Sequence, residues 1–275
     1  MRRLALAILL PPLAALVVPA AAADGQRAAP TGVLIASAVS SDPARHAPAR
    51  LPKIVRLATM ETSGFDQFDE INSGAAGTLA IDGSRAYQGS KSAHAITPAS
   101  TGHTKFARGI WRVNWVGGRD VWYGAAFYLS SDFYARMQGE VDVLRWDNWS
   151  LEQRSQDQGG VTVLSDGRWV LVLRNLDQGS ELHLTTPIRP LSTGAWHWIE
   201  VHQRLSRAGA RALNELWIDG TRRASSRRPN WHGRTVTALR VGIVATNDSA
   251  QANPLELWFD RASISRGALR PRARR

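Results

Sequence analysis

The chain has no cysteine among its 275 residues, which excludes a disulfide scaffold and thiolate-held metal and leaves a packed core to stabilise the fold. No stretch keeps a clean helical period for three turns, and Ser131–Gln138 is the one passable short helix, so helical bundles are excluded. A long uninterrupted apolar run is also missing. The run from Leu4 to Val18 is broken by Pro11-Pro12 and is shorter than a bilayer span needs. Together with Arg2-Arg3 before it and Pro19 and Ala21-Ala22-Ala23 after it, it reads as a secretory signal cut after Ala23. The expected protein is secreted, extracellular or cell-wall-associated, with no stable membrane insertion.

The formal charge of +11 would suggest nucleic acid, yet most of it sits at the ends. Arg2 and Arg3 carry two charges, the segment from Asp24 through Arg56 a net three, and the arginines of the 266–275 tail five, which leaves the body near +1. No helix-turn-helix, zinc-finger or RNA-stacking signature is present, so no nucleic-acid partner is expected. Residues 24–53 are rich in Ala, Pro and Ser and read as a flexible leader, and 266–275 as a solvated basic tail. Residues 54–265 form the expected single domain.

What that domain does have is punctuated alternation. Candidate strands are Val55–Glu61, Phe65–Phe68, Leu79–Ile81, Lys91–Ile96, Phe106–Val116, Val121–Leu129, Val161–Leu164, Trp169–Leu173, Leu182–Leu184, Trp196–Leu205, Leu213–Ile218, Leu239–Ala245 and Leu255–Ile264. A dozen or so short strands at eight-to-twelve-residue spacing predict an all-β, two-sheet antiparallel β-sandwich. Asp166-Gly167 is a hairpin signal, because both residues tolerate positive φ. Arg222, Arg223, Arg227 and Arg228 are expected in a solvated loop after Asp219-Gly220.

The densest chemistry lies in Glu140–Trp149, where three acids, Arg145, Asn148 and two tryptophans share ten residues. Alternation puts Val141 and Val143 inward and Glu140 and Asp142 on the opposite face. Continued unbroken, it would bury Arg145, which charge forbids without a partner. A bulge near Leu144 turns Arg145 and Asp147 to the ligand side and Trp146 into the core, and that bulge is the expectation. On Trp196–Leu205 the same parity puts Glu200 and His202 on one face as a candidate acid/base pair. Eleven tryptophans against six phenylalanines is a bias expected of a glycan-handling surface, with Trp149 among the candidate platforms.

Several segments carry a resemblance. Met60-Glu61-Thr62-Ser63-Gly64-Phe65-Asp66-Gln67-Phe68 and Ala86-Tyr87-Gln88-Gly89-Ser90-Lys91-Ser92-Ala93 resemble early segments of concanavalin A-like jelly rolls. Trp122–Leu129 with Asp132-Phe133, Gly194–Trp198, Leu216–Gly220, Leu239–Ile243 and Leu257–Asp260 resemble the heparin-lyase-like and glucuronan-lyase-like polysaccharide lyases within that fold. The resemblance implies a site on the concave sheet, where an arginine or glutamine offsets a uronate carboxylate and a His or Tyr removes the adjacent proton. It puts Arg108 and Arg112 on the arginine-bearing strand, Arg145 where a Gln-x-His pair is expected, Asp147 in the histidine's place and Val244 in that of the tyrosine.

The expected function is a secreted, monomeric polysaccharide lyase-like protein that acts on or binds an acidic polysaccharide. Arg112, Arg145 and Asp147 are the catalytic candidates, and Arg108, Glu140, Asp142, Trp149, Glu200 and His202 the substrate contacts. No cofactor is required. Glu61 and Asp260 are expected to meet where first and last strands pair, as ligands of a structural calcium or as a surface pair. Two alternatives stay open. One is a non-catalytic carbohydrate-binding module. The other is a degenerate glucanase-like hydrolase, in which Glu140-Val141-Asp142 matches the start of Glu-x-Asp-x-x-Glu and Arg145 replaces the acid.

Overall fold

The computed structural model describes residues 53–74, 77–99, 105–148, 156–175, 180–183, 187–231, 235–245 and 254–269. Its strands are β1 (Ile54–Ala58), β2 (Glu70–Gly74), β3 (Thr78–Asp82), β4 (Ser92–Thr97), β5 (Lys105–Trp115), β6 (Asp120–Leu129), β7 (Val141–Asn148), β8 (Gln156–Val163), β9 (Trp169–Asn175), β10 (Ser180–His183), β11 (Trp196–Arg204), β12 (Leu213–Ile218), β13 (Thr221–Ser226), β14 (Val236–Ala245) and β15 (Leu255–Ser265). A four-residue helix, α1 (Phe133–Arg136), lies within the expected helical segment. Among the described residues no helix is long and apolar enough to cross a membrane.

Two antiparallel sheets result, as the alternation predicts. The first runs β13-β12-β11-β6-β15-β4-β3, with β1 also paired to β15, and the second runs β10-β9-β8-β7-β14-β5-β2. Trp111, Trp146, Trp169, Tyr123, Phe127 and Phe259 fill the space between them and are shut off from solvent. Each ring removes a large apolar area from water, and truncating one costs about 3–5 kcal/mol. Trp111 sends its indole N–H to the Gln67 carbonyl at 2.7 Å, so its burial strands no donor.

Three local expectations are corrected. Phe65–Phe68 is a turn closed by Phe68 N–H on the Phe65 carbonyl at 2.9 Å, and Phe68 stacks on Trp111. Its two aromatics mimic a strand, but Phe68 serves as a plug over Gly109, where any Cβ would lie 2.7 Å from its ring. Glu70–Gly74, expected as a connection, is the edge strand β2. Of the four arginines expected in a loop after Asp219-Gly220, Arg222 and Arg223 instead lie on the edge strand β13, while Arg227 and Arg228 follow it outside the strand and are exposed. Asp219 and Gly220 both take positive φ (51° and 75°), so a two-residue turn matches the strand twist and folds Thr221 back onto Ile218. Asp219 is held there because its carboxylate accepts from Trp198 N–H at 2.8 Å and meets His197 Nδ1 at 2.8 Å.

Candidate functional site

The bulge forms where the charge argument puts it. Asp142 pairs with Thr162 and Leu144 with Val161, so Val143 has no register partner on β8. Val143, Leu144 and Trp146 all lie in the core. Asp142, Arg145 and Asp147 consequently share the outer face of the second sheet, and one extra residue re-aims two of these polar side chains, Arg145 and Asp147.

Strand pairing then brings in β14 and β5. Arg240 is the direct partner of Arg145 on one side and of Ile110 on the other, while Arg108 pairs with Gly242 one row away. Two arginines directly opposite each other would repel at the few ångströms that separate paired residues. Carboxylates offset this. Asp147 Oδ2 lies 2.7 Å from an Arg240 guanidinium nitrogen, and Asp142 Oδ2 lies 3.4 Å from Arg145. Thr162 donates to the other Asp142 oxygen at 2.6 Å. The side chains of Asp147 and Arg240 are 0% and 3% exposed, so removing either would leave the other as a buried uncompensated charge. Gly242, at φ 137°, permits the close approach of β14 to β5, since a Cβ there would sit 2.3 Å from the Ala107 carbonyl.

The candidate residues therefore divide. Arg108, Asp142, Arg145 and Asp147 come together, with three guanidiniums set against two carboxylates once Arg240 is counted. Asp147, expected in the place of a base, is fully buried and orients Arg240. Arg112 lies on the same face but at its exposed rim, in an ion pair with Glu70. Glu140 precedes the first residue of β7. Trp149 lies outside the described residues. Asp142, the second acid of the Glu-x-Asp comparison, is held by Thr162 and Arg145.

Glu200 and His202 sit elsewhere, on the outer face of the first sheet. Alternation gave their parity but not their sheet, and they do not pair with each other. His202 faces Glu215 at 3.0 Å and Asp120 at 2.9 Å, whereas Glu200 accepts the Leu269 N–H at 2.8 Å. Burial raises the Glu200 carboxyl to about 7 against the lowering effect of that hydrogen bond.

Glu61 and Asp260 act as clamps on one loop. Glu61 accepts N–H groups of Ser90 and Lys91, and Asp260 those of Tyr87, Gln88 and Arg261. Oxygens already facing N–H donors are poorly placed to ligate a cation. Among the described residues no group of three or more His, Asp or Glu is arranged to hold a metal. Burial pushes Asp260 up to about 6 despite those donors.

Sequence reasoning passed over Arg240 and Thr162. Arg240 had a readable signal, a lone charge at an outward position of the apolar strand Leu239–Ala245. Thr162 acquires its role only through β7–β8 pairing. That pairing network also sets His183 of β10 opposite Val172, in the row that contains Gly160, Arg145 and Arg240.

A family model described as polysaccharide lyase matches residues 58–263. Among solved structures, the endo-β-1,4-glucuronan lyase of the fungus Trichoderma reesei superposes with a TM-score of 0.64 at 14% identity, covering 78% of this chain and 95% of its own. A cellulose-induced protein gives 0.54 at 18% identity, over 77% and 97%. Alginate lyase vAL-1 from a Chlorella virus gives 0.54 at 8% identity, over 78% and 99%. At such identities the likeness is one of fold, the jelly-roll sandwich. No curated protein sequence matches.

Proposed function

Since the chain belongs to the polysaccharide lyase family, we propose that it engages an acidic, uronate-bearing polysaccharide across the outer face of the second sheet and cleaves it by β-elimination. The observation that carries this reading is the gathering of Arg108, Arg145 and Arg240 on one face, with Arg145 and Arg240 held by Asp142 and Asp147. Planar guanidiniums match carboxylates in pairs of hydrogen bonds, and their low exposure strengthens each charge interaction.

The chemistry follows from charge. A uronate carboxylate withdraws little electron density while it is anionic. Offset by Arg145 and Arg240, it stabilises the carbanion-like state that forms as C5 loses its proton. A base takes that proton, the C4–O bond breaks, a C4–C5 double bond forms and the leaving oxygen is protonated. The described side chains on this face include no His, Tyr or Lys. Export follows from Arg2-Arg3 and the Leu4–Ala23 segment, and it would bring the protein to extracellular polymers.

A second reading, a non-catalytic binder, is favoured by the same lack of a base among the described side chains of the face. One experiment separates the two. Incubation with a panel of uronate polymers, followed by ultraviolet absorbance of the unsaturated product, is expected to show turnover that Arg145→Ala removes. Retention without absorbance for the unaltered protein would sink the lyase and keep the binder; absence of both would remove the proposal.

A further inference from the structure

The outer face of an antiparallel sheet that fronts water is expected to be polar, yet Trp122, Trp196, Trp198, Trp217 and Trp258 all sit on the outer face of the first sheet. Three of them have a structural task. Tyr87 packs on Trp196 and Trp198, and Arg85 lies over Trp258, so these rings seat the Arg85–Gln88 segment. Trp122 and Trp217 are different. They pack on each other, with centroids 5.9 Å apart and planes at 50°, Trp122 also packs on His202, and both are partly exposed.

Their polar surroundings are built with unusual completeness. His202 stacks flat on Trp122 at 4.0 Å, with one ring nitrogen on Asp120 and the other on Glu215. Glu215 also accepts from the Trp217 indole at 3.3 Å and from Arg222 at 2.9 Å. Burial alone would raise the Glu215 carboxyl, but these donors more than offset it and hold it below its ordinary range. The two indoles are thereby fixed as a shallow trough. Arg222 pairs in register with Trp217, and Arg223 follows it on the edge strand; both are exposed. A fixed indole face suits the C–H face of a sugar, and an adjacent guanidinium suits a carboxylate.

We infer that Trp122, Trp217, Arg222 and Arg223 form a second binding surface for an acidic polysaccharide, on the sheet opposite the arginine groove. The occupant is a uronate chain on grounds of charge: His202 and Arg222 offset Asp120 and Glu215, and the solvent-open part of the Arg222 guanidinium together with exposed Arg223 gives the patch its positive edge. A long polymer bound at both faces would gain avidity that a short one cannot. The identity of the polymer rests on the function proposed above, but the surface is tested separately from it.

The probes are alginate and polyglucuronate, as long chains and as tetrasaccharides, with hydroxyethylcellulose as the uncharged control. Binding is measured by affinity electrophoresis and titration. Arg222→Ser/Arg223→Ser, which alters only exposed side chains, and Trp217→Ala should each weaken long-chain binding about tenfold. Tetrasaccharide affinity and any turnover of tetrasaccharide should stay unchanged. Long-chain binding equal to the unaltered protein's in both variants would overturn the inference, as would equal retention on hydroxyethylcellulose. If tetrasaccharides fail to bind while the variants still lose long-chain binding, the groove reading falls and the second surface stands.

Discussion

The two sheets present outer faces of opposite design. On the second sheet the functional groups are charges, Arg108, Arg145, Arg240, Asp142 and Asp147, almost shut off from water and set by a single bulge. On the first sheet they are rings: Trp122 and Trp258 stack on His202 and His94, and Trp122, Trp196 and Trp217 are partly open to solvent while Trp258 is buried. Dry, paired charges give strong and directional recognition of one group, at a large cost if a partner is lost. Wet rings flanked by arginines give tolerant contact along a chain. On the proposals made above, this jelly roll would divide a polymer's recognition between its faces, with selectivity on one and hold on the other.

That comparison can be broken most severely at the bulge. Deletion of Val143 would remove the extra residue and restore strict alternation with Arg145 and Asp147 still outward, but it takes a buried side chain from the core and shifts β7 against its partners, with a loss on the order of 5 kcal/mol. The expected outcome is a strongly lowered melting temperature by circular dichroism together with weaker polymer binding. A variant with native melting and native binding would show that the bulge does not set the groove.

Removing one member of the buried pair comes next. Arg240→Ala should cost about 3–5 kcal/mol in urea unfolding, because Asp147 stays behind uncompensated. Replacing both by leucine should recover much of that loss while still abolishing polymer binding in the groove. If the double replacement is as unstable as the single one, the pair is not the reason for the cost.

Acid titration sharpens the first sheet. Glu200 and Asp260 have carboxyls raised to about 7 and about 6 by burial, so the folded protein holds their protons more tightly than the unfolded chain does. Stability is then full below the unfolded value of each group and falls as pH rises through the window up to the folded value. For Glu200 the window runs from about 4.5 to about 7, and the loss is at most about 3 kcal/mol. Glu200→Gln should flatten that part of the curve of melting temperature against pH. An unchanged slope would mean that Glu200 is not the titrating group.

The smallest effect lies in the turn before β13. Asp219→Ala removes the acceptor for Trp198 N–H and His197 and leaves alanine at positive φ, which should cost about 1–2 kcal/mol. Asp219→Gly should cost less, since glycine tolerates the conformation.

Much of this was readable from residue order alone. Alternation located most strands, and the impossibility of burying Arg145 alone anticipated the bulge, with Trp146 inside and Asp147 outside. What stayed hidden depends on pairing between distant segments. Glu200 and Asp142 have the same outward parity, yet nothing local assigns them to different sheets. Edge strands β2 and β13 were hidden because an edge faces water on most sides and its sequence is accordingly polar. The Asp219-Gly220 signal was present and had the same meaning as Asp166-Gly167, but four nearby arginines masked it. Asp147 looked like a stand-in for a base until pairing placed Arg240 against it.

The central claim is that a uronate chain lies across Arg108, Arg145 and Arg240. Hydrogen-exchange protection, measured with and without a saturating polyglucuronate tetrasaccharide, tests it most directly. The account predicts that added protection appears first on β5, β7 and β14; protection confined to β6, β11 and β12, with none on those three strands, would contradict it.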